Sequence, residues 1–175
     1  MPILQHPTSN IQYPSSIYTI GHSDHTTEAF VDLLRRHGIT LVVDVRSQPY
    51  SRLAPQFNRE TLARDLQDAG IAYRFMGDAL GGRPADPTLY DPGQERPDYR
   101  RVEHMPAYQA GIDRLLELAG SETLAVMCSE GDHHYCHRHL LITQTLLERD
   151  VRVLHIQPDG TTVEGERIPQ QLSLF

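Results

Sequence analysis

Apolar residues along the chain occur in two alternating patterns, short runs and longer stretches with helical spacing. Residues 41–45 form a nearly continuous apolar run, which is typical of a strand covered on both faces of a sheet. In residues 26–37 the apolar side chains recur every three or four positions, as on one face of a helix, and Gly38 favours its end. The patterns predict strands over 17–20, 41–45, 72–76, 123–127 and 151–156, and helices over 26–37, 58–69, 106–119 and 136–149.

The alternation of strands and helices predicts an α/β fold, a single domain with a mostly parallel central sheet of about five strands flanked by helices. The turn sequence Pro158-Asp159-Gly160 predicts a short C-terminal hairpin after the last of these strands. Residues 77–104 are predicted as one long loop, because they contain a glycine pair, several prolines and many charges. The predicted organisation is a flexible leader over 1–16, the α/β domain over 17–165 and a C-terminal tail over 166–175.

Composition and charge exclude several classes of protein. The net charge of −7 over 175 residues excludes a protein that coats nucleic acid by bulk electrostatics, although the clustered arginines leave room for a local basic cleft. No apolar run approaches the roughly 20 residues of a membrane span, so no membrane partner is expected. The first residues lack the pattern of a signal peptide and the chain has two cysteines, which predicts a cytoplasmic protein with reduced thiols.

Polar residues follow the predicted strands at the edge where parallel sheets bind ligands. Asp44 and Arg46 lie two positions apart, so they share one face of a strand that is otherwise apolar. Two interpretations stay open for them, a structural ion pair and a functional pair. The other residues predicted at this edge are His22, Ser23, Ser51, Arg52, Gly81, Gly82, Arg83, Cys128 and Glu130.

The densest cluster of reactive side chains is the segment 128–138, which holds two cysteines, three histidines and an arginine. Cys136 is predicted near the start of a helix, where the helix dipole and Arg138 favour the thiolate and the backbone amides favour an anion. Four interpretations stay open: a metal site using Cys128, Cys136 and a histidine, a nucleophilic or redox thiol, a structural loop, and an anion or nucleotide pocket. The spacing is not that of a Cys-x-x-Cys pair, so no metal ligand is assigned and no cofactor is identified.

Several short motifs occur in an order that resembles a known family. They are Thr19-Ile20-Gly21-His22-Ser23, Asp44-Val45-Arg46 with Pro49 and Ser51-Arg52, Leu80-Gly81-Gly82, Cys128-Ser129-Glu130 with Cys136-His137-Arg138, and His155-Ile156 with Asp159-Gly160. Over residues 17–160 the chain resembles the "domain of unknown function 488" family. The resemblance implies a compact α/β fold and a shared site, and it transfers no activity.

A second resemblance is to rhodanese-type sulfurtransferases, in which an Asp-x-Arg strand also precedes a strand that ends in cysteine. The loop after Cys128 departs from that pattern, because it contains Glu130 and Asp132 and its arginine comes ten residues on rather than about five. Two acids beside a thiol oppose thiolate formation and repel an anionic substrate. The departure argues against sulfur transfer.

The last five residues, Gln171-Leu172-Ser173-Leu174-Phe175, resemble the peptide by which bacterial DNA polymerases and repair proteins bind the replicative sliding clamp. The resemblance implies that the glutamine forms a hydrogen bond at one subsite, while the two leucines and the phenylalanine fill an apolar cleft. Two or three buried apolar side chains are enough for micromolar affinity. The alternative is that these side chains pack on the protein's own core.

Three hypotheses about function follow from these features. The first is a DNA-maintenance factor that the sliding clamp recruits and that acts on nucleic acid or nucleotides, with arginines binding phosphates and Tyr50, Tyr90 or Tyr99 stacking on bases. The second is a thiol enzyme acting on a small anionic substrate, as in sulfur transfer or phosphoryl hydrolysis. The third is a module that senses a metal or a redox state.

The candidate residues are common to these hypotheses. In the thiol enzyme, Cys128 is the nucleophile, Arg138 or Arg46 holds the anion, and His22 or His137 moves protons. The predicted catalytic residues are Cys128, Cys136, His22, Asp44 and Glu130. The predicted anion- or substrate-binding residues are Arg46, Ser51, Arg52, Gly81, Gly82, Arg83, His137 and Arg138.

Overall fold

The computed structural model describes residues 16–169, and the strands in this part of the chain form one sheet. They are β1 (Ser16–Gly21), β2 (Leu41–Asp44), β3 (Ala72–Phe75), β4 (Leu124–Cys128), β5 (Arg152–Ile156) and β6 (Thr162–Glu164), in the spatial order β3-β2-β4-β1-β5-β6. The first five strands run parallel, and β6 pairs antiparallel with β5. The α/β class, the mostly parallel sheet and the C-terminal hairpin are therefore confirmed.

The helices lie between the strands. They are α1 (Thr27–Arg36), α2 (Arg59–Asp68), α3 (Gly77–Leu80), α4 (Tyr99–Glu103), α5 (Pro106–Ala119) and α6 (Gln144–Glu148), and a π-helical segment (Arg138–Thr143) leads into α6. Of these, α1, α2 and α5 are the ones that match helices predicted from the apolar spacing over their length. Thr26 accepts the Ala29 N–H at the start of α1, which satisfies a backbone donor that the helix itself leaves free. The Thr26 cap therefore sets the start of α1, and the spacing of its apolar residues sets the face that it buries.

Two apolar cores lie on opposite faces of the sheet. One contains Phe30 of α1 and Leu66 of α2 together with Val42, and the other contains Ile112 of α5 together with Val43. Neighbouring residues of β2 thus point into different cores, because successive side chains of a strand alternate between its faces. This arrangement explains why residues 41–45 are apolar almost without interruption.

The connections after β2 and after β4 leave the sheet in opposite directions. From β2 the chain passes through α2 to β3 at one edge, and from β4 it passes through the π-helical segment and α6 to β5 on the other side. Right-handed crossovers place these helices on opposite faces of the sheet. A crevice therefore opens between the carboxyl ends of β2 and β4, where open α/β sheets bind ligands.

The stretch 77–104, predicted as one long loop, contains α3, α4 and a 3₁₀ turn (Pro87–Leu89). The side chain of Asp86 accepts the Thr88 N–H, and that of Asp98 accepts the Arg100 N–H at the start of α4. These elements are too short to give a helical period in the sequence. Capping aspartates mark the 3₁₀ turn and α4, whereas α3 has no side-chain cap. The ordered turns hold Arg96 and Tyr99 near the end of β4, where they line a cleft with Cys128.

Two sets of sequence predictions concern the ends of the chain. Residues 1–15 of the predicted leader and the clamp-binding-like peptide, Gln171 to Phe175, lie outside the described residues, and Ser16 belongs to β1. Among the helices of residues 16–169, none combines the length and the apolar character that crossing a membrane requires.

Candidate functional site

A cleft of about 670 Å³ lies at the carboxyl ends of β2 and β4. The loop after β2 forms one wall with residues 46–48, and the loop after β4 forms another with residues 128–130. The remaining wall comes from the start of α3, the glycine-rich loop that follows it, and four separate side chains: Arg96, Tyr99, Tyr135 and His137. The cleft thus occupies the position that the strand connections predict for a ligand.

The glycine-rich loop packs closely against both neighbouring strand ends. A Cβ atom on Gly81 would lie 2.4 Å from the Ser47 Oγ, and one on Gly82 would lie 2.7 Å from the His137 ring. The Ser47 Oγ also accepts the backbone N–H of Arg83 at 2.9 Å. Glycine is therefore required at both positions. It allows the backbone to approach closely enough to support His137 and to place Arg83 at the rim.

Asp44 and Arg46 form a buried ion pair at the end of β2. The Asp44 carboxylate accepts hydrogen bonds from the Arg46 Nε at 2.9 Å and from its Nη2 at 2.7 Å, and it also accepts the hydroxyl of Tyr73. The Arg46 Nη2 donates in addition to the carbonyl of Phe57. Of the pair, only Arg46 lines the cleft, so the ion pair fixes the side chain of a cleft residue.

Cys128 and Cys136 lie in direct contact. Their Sγ atoms are 2.7 Å apart, and each residue is only 1% exposed. Cys128 ends β4 and lines the cleft, whereas Cys136 follows the turn His133–Tyr135 and lies behind it. The backbone N–H of Arg138 points at the Cys136 Sγ from 3.5 Å. The fold therefore brings together two thiols that are eight positions apart in the sequence.

The two thiols differ in acidity. Burial raises the pKa of Cys128 well above its ordinary value, and the hydrogen bond with Cys136 raises it further. Burial also opposes ionisation of Cys136, but hydrogen bonds with Cys128 and His137 lower its pKa to about 6. Cys136 is therefore the more acidic thiol of the pair.

His137 is oriented to act as a base toward Cys136. Its Nε2 lies 3.0 Å from the carbonyl oxygen of Val45, and because a carbonyl only accepts, this nitrogen carries a proton. The lone pair of the neutral ring is then on Nδ1, which faces the Cys136 Sγ at 3.8 Å. The Cys136 thiol, the His137 ring and the Val45 carbonyl therefore form a series of contacts. The same arrangement occurs in thiol nucleophiles that an adjacent histidine activates.

Arg138 holds the loop that closes the cleft after β4. Its Nη2 donates to the carbonyls of Glu130 at 2.9 Å and Gly131 at 3.2 Å, and its Nη1 donates to the Thr19 hydroxyl. The residue is fully buried and does not line the cleft, and its Nε has no hydrogen-bond partner within residues 16–169. The guanidinium therefore positions the backbone beside Cys128, away from the space that a ligand would fill.

His133, His139 and His155 form a buried histidine cluster that is connected to Arg138 through Thr19. The Thr19 Oγ1 lies 2.6 Å from the His155 Nδ1, and the His155 Nε2 lies 3.2 Å from the His139 Nδ1. The His133 ring stacks on the His155 ring at a centroid distance of 4.0 Å. Burial lowers the pKa of His155 to about 2 and that of His133 to about 4, so the cluster is uncharged at neutral pH.

Three groups of side chains come close enough to hold a metal ion, and the geometry of two of them can be tested. These two are Cys128 with Glu130 and Cys136, and the histidine cluster. Two thiolates bound to one zinc ion lie about 3.8 Å apart, so the two sulfurs would have to separate. The rings of His133 and His155 are inclined by only 15°, and the in-plane lone pairs of two stacked rings do not converge. The cysteine group therefore fits a dithiol, and the histidine cluster fits a network of stacked rings. The third group, Asp132 with His133 and His134, shares His133 with the stack.

The structure brings together part of the residue set predicted from the sequence. Its cleft-lining members are Arg46, Gly82, Arg83, Cys128, Glu130 and His137. Its members that do not line the cleft are His22, Asp44, Ser51, Arg52, Gly81, Cys136 and Arg138. Of these, His22 is buried, and its ring stacks on Phe57 at 4.4 Å. The Ser51 hydroxyl accepts the N–H groups of Leu53 and Ala54 and thereby shapes its own loop.

Several cleft residues were not predicted from the sequence. Tyr135 lies in the cysteine segment and Asp78 follows the third predicted strand, but neither is among the predicted site residues, and Gln48 is not among them either. Tyr99 and Arg96 were predicted only as members of larger sets, and Tyr50 and Tyr90 of the same tyrosine set do not line the cleft. Position along the chain is the available signal, because Gln48 lies four residues after the end of β2 and Asp78 lies three residues after the end of β3.

Comparison with known proteins gives one match, to a family model. No curated protein and no solved structure matches the chain. The model described as "Domain of unknown function DUF488" matches residues 26–144, which include the loop after β2, the glycine-rich loop and the cysteine segment. More than half of the chain is covered, and the chain belongs to this family of proteins with a domain of unknown function.

Proposed function

We propose that this protein binds nucleic acid or nucleotides in the cleft and serves DNA maintenance, recruited by the replicative sliding clamp. The observation that carries the proposal is the combination of side chains around the cleft. Three arginines and two tyrosines surround a space of about 670 Å³, which is the size of pocket that holds a ligand as large as a nucleotide.

Arg83 and Arg96 supply the positive charge of the cleft. Both side chains are exposed, and within residues 16–169 neither forms an ion pair with a carboxylate. The charge of Arg46, in contrast, is compensated by Asp44. An uncompensated guanidinium at a cleft rim binds phosphate oxygens through two parallel N–H groups. The two arginines are therefore the phosphate-binding residues of the proposal.

Tyr99 and Tyr135 supply flat surfaces on which a base would stack. Tyr135 is 82% exposed, which is unusual for an aromatic side chain. Tyr99 is half-buried, and the Arg96 guanidinium lies 5.7 Å from its ring centroid. Stacking of a base on an aromatic ring is worth about 1–3 kcal/mol in single-stranded nucleic acid complexes. Such rings explain how a chain of net negative charge can still bind a polyanion.

The polar groups of the cleft favour a nucleotide over a bare phosphate. Asp78 and Glu130 place carboxylates beside the arginines, and hydrogen bonds from the backbone and from the thiols lower the pKa of Glu130 even though partial burial opposes its ionisation. Carboxylates repel phosphate but accept hydrogen bonds from base amino groups. The Gln48 side chain adds both a donor and an acceptor. The hydrogen-bond donors and acceptors of the cleft match the edge of a base, and its aromatic rings match the face of a base.

Removing the two rim arginines is expected to weaken binding of a labelled single-stranded oligonucleotide. Each charge-assisted hydrogen bond contributes about 1.5–3 kcal/mol, so we expect Arg83→Ala with Arg96→Ala to raise Kd by about tenfold or more. The slope of log K against log salt should fall by about 0.7 for each phosphate group that the variant no longer neutralises. Fluorescence anisotropy over a series of salt concentrations measures both quantities.

The matched control is the pair Arg64→Ala with Arg114→Ala. These arginines form surface ion pairs with Asp65 and Glu117 and do not line the cleft, so the net charge changes equally. The control variant should keep the affinity and salt slope of the unmodified protein. Equal losses of affinity in the two double variants would show that charge alone matters, and they would refute the cleft as the binding site.

Recruitment by the sliding clamp rests on the C-terminal peptide. Deleting Gln171 to Phe175 should abolish co-elution with a bacterial sliding clamp in size-exclusion chromatography. The deletion removes the apolar anchor residues as well as the glutamine. The control is the full chain with these five residues in a different order. The proposal fails if the truncated protein co-elutes as well as the intact one, or if the intact protein does not bind the clamp at all.

A further inference from the structure

We propose that Cys128 and Cys136 are a reversible dithiol–disulfide pair that exchanges with small disulfides entering the cleft. This activity does not depend on nucleotide binding. It is carried by the contact between the two sulfur atoms, by the unequal access of the cleft to them, and by the base beside one of them. Each of these observations contributes a separate part of the argument.

The backbone on both sides holds the two sulfurs together. Cys128 ends β4, which is paired with both β1 and β2 and is therefore an interior strand of the sheet. Cys136 donates its N–H to the His133 carbonyl, and its own carbonyl accepts the N–H groups of His139 and Leu140. The Sγ atoms lie 2.7 Å apart, whereas the sulfurs of a disulfide lie about 2.05 Å apart. Closing the bond requires a small movement of side chains and no rearrangement of the sheet.

The cleft determines which sulfur reacts first. Cys128 lines the cleft and Cys136 does not, so an incoming disulfide meets Cys128. Cys136 lies directly behind it, in position to attack the mixed disulfide that forms at Cys128. This is the division of labour between an attacking and a resolving cysteine.

The groups around Cys136 supply the proton transfers. In the proposed exchange, Cys136 passes its proton to the His137 Nδ1, 3.8 Å away, and its sulfur then takes up the proton of Cys128 across the 2.7 Å contact. The Arg138 backbone N–H faces the same sulfur, and the Arg138 guanidinium holds the adjoining loop. The negative charge that appears during exchange is thus met by donors that are already in place.

The reaction balances with a small disulfide as the oxidant. The Cys128 thiolate attacks one sulfur of the disulfide, the S–S bond of that molecule breaks, and the released thiolate takes the proton held by His137. The Cys136 thiol then passes its proton to His137 and attacks the Cys128 sulfur, which releases the second small thiolate with that proton. One small disulfide is reduced to two thiols, and the protein dithiol is oxidised to an internal disulfide.

The experiment uses the full chain with oxidised glutathione, followed by alkylation of free thiols and intact-mass spectrometry. The chain has two cysteines, so every product is resolved by mass. The unmodified protein should lose two hydrogen atoms, resist alkylation and run as a monomer on a non-reducing gel. Dithiothreitol should restore two alkylatable thiols. Disulfide-linked dimers, glutathione bound to both cysteines, or no reaction would each overturn the proposal.

Two single variants separate the roles of the cysteines. Cys136→Ser should accumulate one stable glutathione adduct, because Cys128 still attacks oxidised glutathione but no second thiol resolves the mixed disulfide. Cys128→Ser should form its adduct at least about tenfold more slowly, because Cys136 does not line the cleft. Circular dichroism confirms that both variants are folded before rates are compared. Equal adduct rates in the two variants would refute the assigned order of attack.

Discussion

Replacing Asp44 with alanine is expected to lower the free energy of unfolding by about 3–5 kcal/mol, the range for a buried ion pair that loses one partner. Asp44 is fully buried and Arg46 is only 5% exposed. The carboxylate accepts the backbone N–H, Nε and Nη2 of Arg46 and the hydroxyl of Tyr73. Its removal leaves a guanidinium without a counter-charge and a phenol without an acceptor. Urea denaturation followed by far-UV circular dichroism measures the change.

The matched control is Asp32→Ala. Asp32 forms an ion pair with Arg36 at the same distance of 2.7 Å, but on the surface of α1, so its loss should cost less than about 1 kcal/mol. Adding Arg46→Met to Asp44→Ala should recover part of the stability, because the main cost is the unpaired charge and not the absent hydrogen bonds. Destabilisation of similar size at Asp44 and Asp32 would contradict the buried-pair explanation.

The same prediction has a functional consequence at the cleft. The ion pair and the Phe57 carbonyl fix the Nε and Nη2 of Arg46, which lines the cleft between the loops after β2 and β4. A guanidinium held on one side presents its remaining N–H groups to a ligand without further loss of side-chain freedom. The two interpretations of Asp44 and Arg46, a structural ion pair and a functional pair, are therefore compatible.

The sheet could be predicted from the sequence because its strands are local patterns with clear ends. The apolar run 41–45 predicts a strand covered on both faces of the sheet, and β2 is buried along its whole length. β3 is an edge strand with alternating exposure, and the strand predicted over 72–76 matches it to within one residue. The sixth strand is short and exposed, so only the turn before it indicated that it exists.

The cleft could be predicted only in outline, because which side chains face it depends on packing between distant segments. The rule that ligands bind at the carboxyl ends of strands located Arg46, Arg83 and Cys128. It did not reveal that Arg138 turns inward to bind the Glu130 carbonyl, since either orientation is compatible with a helix start. The contact between the two cysteine sulfurs is likewise a consequence of tertiary structure and has no counterpart in a spacing motif.

Acidification is expected to destabilise the protein through the histidine cluster. The pKa of His155 is lowered to about 2, first by burial and then by the charges of His133 and Arg138. The unfolded chain takes up this proton near pH 6.5, so the stability that a neutral His155 contributes is complete above that pH and is lost as the pH falls. Between about pH 7 and pH 5 the loss amounts to about 2 kcal/mol for His155, and His133 adds to it.

The test compares the pH dependence of unfolding in His155→Gln and His104→Gln with that of the unmodified protein. Glutamine at position 155 can still form a hydrogen bond with Thr19 but does not titrate, so its variant should lose about 2 kcal/mol less between pH 7 and pH 5. His104 is exposed and outside the histidine cluster, so its variant should follow the unmodified protein. Because the comparison uses slopes, a lower absolute stability of the His155 variant does not obscure the result. Identical slopes in all three proteins would mean that His155 is protonated in the folded state, which its burial against His133 and below Thr19 opposes.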